Sequence, residues 1–172
     1  MTQRKSKTDP QILKMPAQKM AVVSGKGAPE KVFPELMQAL YGSAYTLKFG
    51  LKKQGLPTFK VSGLRARYPD IVKESREEWT HIIGLPVPGD TESLPQKVAD
   101  VEVKLETWDY GTVAQILHLG SYSQEEASIE RLLNFIEENG YEIAGHHEEE
   151  YLTRPDAKVV KTLIRYPIKK KG

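Results

Sequence analysis

Two stretches of this chain repeat each other at a constant spacing, and that repetition limits the possible folds more than any other feature. Setting Ala21 against Ala114 pairs Gly27 with Gly120, Leu36 with Ile129, Ala39 with Leu132 and Leu40 with Leu133, all at an offset of 93 residues. Farther on, HIIGLPV at His81–Val87 aligns with TLIRYPI at Thr162–Ile168, at an offset of 81. Any single pairing arises by chance, but matched glycine, helix face and proline in one order point to a duplicated unit. The expected fold class is therefore α+β, with duplicated strand-helix-strand-strand modules, antiparallel sheets with helices on one side, and a ligand cleft between pseudo-twofold halves.

The local signals support that reading. Residues 1–10 are polar and end in Pro10, which suggests a flexible leader. Met20–Ser24 alternates as a strand closed by Gly25 and Gly27. Pro29 opens a helix whose apolar residues, from Phe33 and Leu36 to Leu47 and Leu51, recur at helical spacing as far as Gly55. Gly42 and Gly50 each cost about 1 kcal/mol against alanine, which predicts a bend or break near Gly42. Phe59–Tyr68 and Glu78–Pro86 read as strands, and PVPGDTESLPQK as a linker over about 87–98. A single domain over 11–170 thus divides into modules of about 11–88 and 99–169. In the second, Val101, Val103 and Leu105 alternate, Asp109–Gly111 turns, and Val113–Leu119 is a strand. Ser123 with Glu126 has the form of a capping box. The helix it opens carries a stripe of Ile129, Leu132, Leu133 and Ile136, puts Glu125 and Glu126 at its positive end, and stops at Gly140. Glu148–Leu152 and Lys161–Ile168 are the last strands.

Charge and composition exclude several functions. Twenty-five basic against 23 acidic side chains leave no field to hold nucleic acid or an anionic membrane, so neither is an expected partner. Lys5, Lys7 and Lys169–Lys171 read as solvated tails. No apolar run approaches the roughly 20 residues of a membrane span, and the N-terminus lacks a signal-peptide core, so a cytoplasmic location is expected. Absence of cysteine removes thiol nucleophiles and zinc-thiolate sites. The run HHEEE at His146–Glu150 lacks further ligands at defined spacing and reads as a surface loop, not a metal site. With no phosphate loop, nucleophile elbow or dinucleotide fingerprint, no cofactor is expected.

Glu149 is the exception among the acidic residues, because it alternates with Tyr151 on one strand face. A carboxylate removed from water needs a cation or hydrogen-bond donors. Arg154, Arg165 or Arg65 would satisfy it as a plain salt bridge; a bound lipophilic cation would satisfy it as a site. Trp79, Tyr68 and Tyr110 offer aromatic faces worth about 0.5–2 kcal/mol per good cation-π contact. Tyr151, Trp108 and His118 complete the ligand-binding candidates, each with core packing or a structural hydrogen bond as its alternative.

The run Gly111–Tyr122 (GTVAQILHLGSY), the helix end FIEENGY at Phe135–Tyr141, and Glu149-x-Tyr151-Leu152 resemble the GyrI-like family of small-molecule-binding domains. Weaker support comes from Leu40–Phe49, Lys60–Tyr68 and Trp79 with Ile82-Ile83, and the chain looks like the stand-alone branch. The resemblance implies an aromatic pocket between duplicated modules, with a glutamate matching Glu149 facing lipophilic cations. Tyr68 falls where many relatives carry tryptophan, and Arg65 where many carry an acidic residue. Three functions follow as expectations. The first is a multidrug-type binder that sequesters or senses its ligand, as a monomer or weak homodimer. The second is a hydrolase opening cyclopropane rings of genotoxic compounds, with Glu149, Tyr151 and Tyr110 as its catalytic residues. The third is an interaction protein resembling the gyrase inhibitors.

Overall fold

The structure, a computed structural model, describes residues 8–69 and 75–172; most of the expected leader, with Lys5 and Lys7, and Asp70 lie outside the described residues. In chain order the elements are β1 (Gln11–Met15), β2 (Gln18–Lys26), α1 (Pro29–Lys53), β3 (Arg65–Tyr68), β4 (Thr80–Pro86), β5 (Lys104–Trp108), β6 (Gly111–Leu119), α2 (Glu125–Glu138), β7 (Tyr141–Ile143), β8 (His147–Tyr151) and β9 (Lys161–Lys170). They divide into two compact units, one of residues 17–109 and one joining the segment up to Pro16 with residues 110–172.

In the unit 17–109 the antiparallel strand order is β3-β4-β2-β5. Helix α1 lays Leu36, Ala39, Leu40 and Ala44 onto β2 and β4, where Ala21, Val23, Ile83 and Leu85 are fully or almost fully buried. The helix runs unbroken through Gly42, against the expectation of a break. Its buried face supplies packing that outweighs the cost of two glycines, and a Cβ at position 42 would stand only 3.4 Å from the Lys97 side chain. The expected strand Phe59–Tyr68 shortens to four residues because 59–64 find no ladder partner.

The other unit repeats this plan as β8-β9-β6-β1, with β7 added on β9. Helix α2 buries Leu132 and Ile136 against Ala114, Ile116, Ile164 and Tyr166. Leu133, expected in the same stripe, is instead 38% exposed. The registers repeat residue for residue. Val23 opposite Ile83 becomes Ile116 opposite Ile164, Gly25 opposite His81 becomes His118 opposite Thr162, and Ala66 opposite Ile83 becomes Glu149 opposite Ile164. Ala21 opposite Leu105 likewise becomes Ala114 opposite Ile12. Each outer strand therefore pairs with the first strand of the module it does not lead into: β1 lies beside β6, and β5 beside β2. The C-terminal lysines, read as a solvated tail, extend β9, with Lys169 3.6 Å from Glu142 and Lys171 3.8 Å from Glu137.

Candidate functional site

The repeat supplies an internal comparison for every position. In the unit 17–109, Val32, Leu64, Ala66 and Leu85 are apolar, and all but Val32 are fully buried or nearly so. The registers carry Ala66 and Leu85 onto Glu149 and Tyr166, Leu64 two residues before Ala66 corresponds to His147 two before Glu149, and the 93-residue offset carries Val32 onto Glu125; these four are all buried in the other unit. One module fills the place where its helix start meets its inner strands with hydrocarbon. Its sibling fills it with two carboxyls, an imidazole and a phenol.

These four groups form a chain of contacts. Tyr166 places its hydroxyl 2.7 Å from His147 Nδ1, and His147 Nε2 lies 3.3 Å from Glu149 Oε2, close but poorly aligned for a hydrogen bond. Glu149, 6% exposed, has the carboxyl of Glu125, 8% exposed, as its neighbour, and two carboxyls side by side in a dry site disfavour double ionisation. Burial, then the Glu149 carboxyl, pushes Glu125 up to about 9, and burial also raises Glu149. Burial holds His147 down at about 4, so its ring is neutral at pH 7. Tyr166 is pushed up to about 12 by burial and by Glu149. Tyr122, in the 3-10 turn Tyr122–Gln124, is raised by burial and by Glu125 and Glu149, and its ring sits edge-on to Tyr151 at 5.6 Å. At neutral pH the unit therefore holds a buried carboxyl pair that resists double ionisation, beside a neutral imidazole and uncharged phenols.

The other face of β8 is resolved differently. Arg165, 2% exposed, donates to Glu148 at 2.8 Å and to Glu150 at 3.0 Å, while the Tyr110 hydroxyl donates to Glu148 at 3.0 Å. Burial alone would lower the Arg165 pKa; the two carboxylates outweigh it and raise the value. HHEEE is thus no surface loop, since His147, Glu148 and Glu149 are all buried; a strand flanked by Arg165 on one side and by Tyr166 on the other can carry polar residues on both faces. Nor do the expected arginines in this unit pair with Glu149: Arg165 takes its two neighbours, and Arg154 bonds exposed Asp156.

The remaining candidates fall as follows. Tyr151 shares the face of Glu149 and meets Tyr122. His118 is 5% exposed, with Nδ1 2.8 Å from Ser128 Oγ and Nε2 2.8 Å from the Ser121 carbonyl. Tyr110 reaches Glu148 and the Arg165 guanidinium instead of Glu149. In the unit 17–109, Tyr68 packs edge-on against Trp79 at 6.1 Å and against His81 at 5.4 Å, while Trp108 lies under the Arg67 guanidinium at 3.7 Å. Sequence reasoning missed Glu125, which it read as a helix-dipole residue. Its position opposite Val32 in the repeat is the signal that marks it. The capping box proposed beside it does not form, because Gln124 is the N-cap and Ser123 bonds Ser121 instead.

Among the described residues no group of three or more acidic, histidine or cysteine side chains is placed to hold a metal ion. Among the described residues no helix is long and apolar enough to cross a membrane. An open depression of about 560 Å³ in the same unit, lined by Ile12, Lys14, Tyr141, Ile168 and Lys170, contains none of the groups above.

Comparison with known proteins follows the same lines. The family model of the GyrI-like small molecule binding domain matches residues 8–169. An uncharacterised conserved protein from Listeria innocua is similar in structure with a TM-score of 0.82 at 25% identity, over 94% of this chain and 93% of that one. A hydrolase from Listeria innocua (TM-score 0.79, 22% identity, 94% and 92% covered) and the EcmrR C-terminal domain (0.63, 15%, 95% and 98%) share the fold. Among curated proteins no match was found.

Proposed function

The chain belongs to the GyrI-like family of small-molecule-binding domains, and from that premise we propose that it binds lipophilic aromatic cations through Glu149. The observation that carries this reading is the asymmetry of the repeat. Val32 and Ala66 show that the fold needs no polar group at these positions, yet the sibling module buries two carboxyls there. Burying an acid that the architecture does not require costs stability, and a ligand that meets its charge accounts for keeping it. Tyr122 and Tyr151 provide flat, polarisable faces beside the acid, suited to ring systems of varied outline. Aromatic contact with one central charge selects for charge type and flatness and leaves shape loosely specified.

Titration with a fluorescent rhodamine cation tests this reading. Loss of the negative charge in Glu149→Gln is expected to weaken binding by about 10- to 100-fold, the worth of a charged hydrogen bond or ion pair in a dry site. Equal affinity for both proteins would refute it.

A second reading, hydrolysis of a strained cyclopropane, is favoured by two buried carboxyls side by side, with Glu125 pushed up to about 9 by burial and by Glu149. One carboxyl of the pair is a base and the other an acid. Glu149 would take a proton from water as its oxygen bonds to a ring carbon; the carbon–carbon bond would break toward a conjugated carbonyl of the substrate, and Glu125 would protonate the oxygen formed there. Mass spectrometry of the hydrated product after incubation with a cyclopropane-bearing alkylator tests it, and absence of turnover across several such substrates would defeat it.

A further inference from the structure

We propose that the open depression beside the end of β9 is a second binding site, one that takes a small amphipathic anion: a flat apolar body bearing a single carboxylate or sulfonate. It is built on one face of the sheet. Ile12 and Lys14 on β1, Thr112 on β6, and Ile168 and Lys170 on β9 alternate onto the side that carries Ala114, Ile116, Ile164 and Tyr166 under α2. Tyr141 on β7 stands opposite Lys170. Ile168 belongs to the α2 core and Ile12 and Tyr141 pack against it, so the floor of the depression continues that core. Its volume of about 560 Å³ falls within the roughly 300–1,000 Å³ of small-molecule sites.

The repeat again supplies the comparison. Lys14 opposite Thr112 corresponds to Thr107 opposite Lys19, while Ile168 and Lys170 correspond to Val87 and Gly89 at the 81-residue offset. In the unit 17–109 the chain beyond Val87 fills this corner itself. Lys19 Nζ donates to the Thr91 carbonyl at 2.6 Å and to the Gly89 carbonyl at 3.4 Å, and Thr91 is buried. Lys97, farther along the same segment, lies against α1 at Gly42. One module thus covers the corner with its own backbone and meets its lysine with carbonyl oxygens. In the other the corner is open, and lysines stand where the sibling has Thr107 and Gly89. Among the described residues the ion pairs at this strand end go to Lys169 and Lys171, with Glu142 and Glu137, and leave Lys14 and Lys170 to the depression.

An apolar floor rimmed by like charges, with no acid in its lining, fits a ligand that brings its own negative head. Burial of the apolar body supplies most of the affinity, because exposed ion pairs are individually weak. The head supplies the choice of charge: a neutral analogue loses the pairing and a cation meets repulsion. None of the lining residues belongs to the Glu149 site, so this inference stands independently of the cation-binding reading.

Titration of the full chain with 2-naphthoate, followed through the methyl NMR signals of Ile12 and Ile168, tests it. Those methyls are expected to shift to saturation, with a Kd about three- to tenfold lower than for the neutral 2-naphthylmethanol. Raising NaCl from about 20 to about 300 mM should weaken the acid about two- to fivefold and leave the alcohol unchanged. Joint substitution of two exposed positions, Lys14→Glu and Lys170→Glu, should weaken the acid at least about tenfold and the alcohol by less than about twofold. Methyls that stay in place, equal affinity for acid and alcohol, or undiminished affinity in the doubly substituted protein overturns the proposal. So do shifts confined to Tyr122 and Tyr151, which would put the anion beside the acid pair, and so does a dimer in sedimentation that the double substitution dissociates, which would give the depression to a second copy of the chain. The salt and alcohol arms need no variant to fold. Each of these outcomes leaves the rhodamine titration of Glu149→Gln to be decided separately.

Discussion

At the scale of single residues, Glu125 and Glu149 are the clearest departures from what a stable core selects, and the sibling module states what would replace them. Writing Val32 and Ala66 into the equivalent places, as Glu125→Val and Glu149→Ala, is expected to stabilise the unliganded protein at pH 8. Removing a buried ionisable pair in favour of hydrocarbon is worth about 1–3 kcal/mol, or a rise in Tm of roughly 2–4 °C per kcal/mol for a chain of this size. The doubly substituted protein should melt above wild type in a calorimeter while failing to bind a rhodamine. Arg165 makes the contrasting case, because its guanidinium compensates two carboxylates within one buried cluster. Arg165→Met takes a buried guanidinium away from Glu148 and Glu150 and should cost about 3–5 kcal/mol, measured by urea unfolding. A loss below 1 kcal/mol would show that the cluster is more hydrated than its burial indicates.

At the scale of elements, the helices and most strands were legible because their apolar periods are long and each ends at a glycine or proline. Strand β3 was legible only in part, since residues 59–64 of the alternating run from Phe59 have no strand to pair with. Strand β8 was placed correctly, but its burial was not readable in HHEEE, because what permits it is Arg165 and Tyr166 on β9, 15 or more residues away in sequence. Helix α1 misled for a related reason: local propensity argued for a break at Gly42, and tertiary packing overrode it. Its glycines now make a test of that balance. A Cβ at Gly50 meets no atom within 4 Å, so Gly50→Ala should stabilise by about 0.5–1 kcal/mol through helix propensity alone. At Gly25 on β2 the Cβ would stand 2.8 Å from Val32 Cγ1 and 3.2 Å from Leu36 Cδ1, so Gly25→Ala should destabilise by about 1–3 kcal/mol. Opposite signs in chemical denaturation are the expected outcome; a shared sign would mean the α1–β2 contact yields more readily than its packing suggests. The same element pair holds His118 at the Gly25 position in the other unit, which shows how one scaffold takes a larger, polar residue once the facing helix carries Ser128 to receive it.

At the scale of the whole molecule, the buried groups set how stability follows pH, and their signs can be worked out separately. Glu125 is raised from an ordinary 4.5 to about 9 in the folded state, so the fold binds the extra proton between those values. Its contribution is full below about pH 4.5 and is lost as pH rises through 9. His147 is lowered from 6.5 to about 4, so the unfolded chain binds the extra proton between those values, and stability rises as pH goes from 4 to 6.5. The two oppose each other between about 4.5 and 6.5, and above 6.5 the carboxyl pair acts without opposition from His147. Tm should therefore level off near pH 5–6 and decline toward pH 9, with a slope no steeper than about 1.4 kcal/mol per pH unit for one linked proton. Glu125→Gln should remove the alkaline decline and let Tm rise as far as about pH 6.5, while His147→Asn should start the decline already near pH 4.5. Calorimetric scans of the three proteins from pH 4 to 9 check all of this at once. An alkaline limb that survives Glu125→Gln would place the linked proton elsewhere in the molecule and detach the stability profile from the binding site.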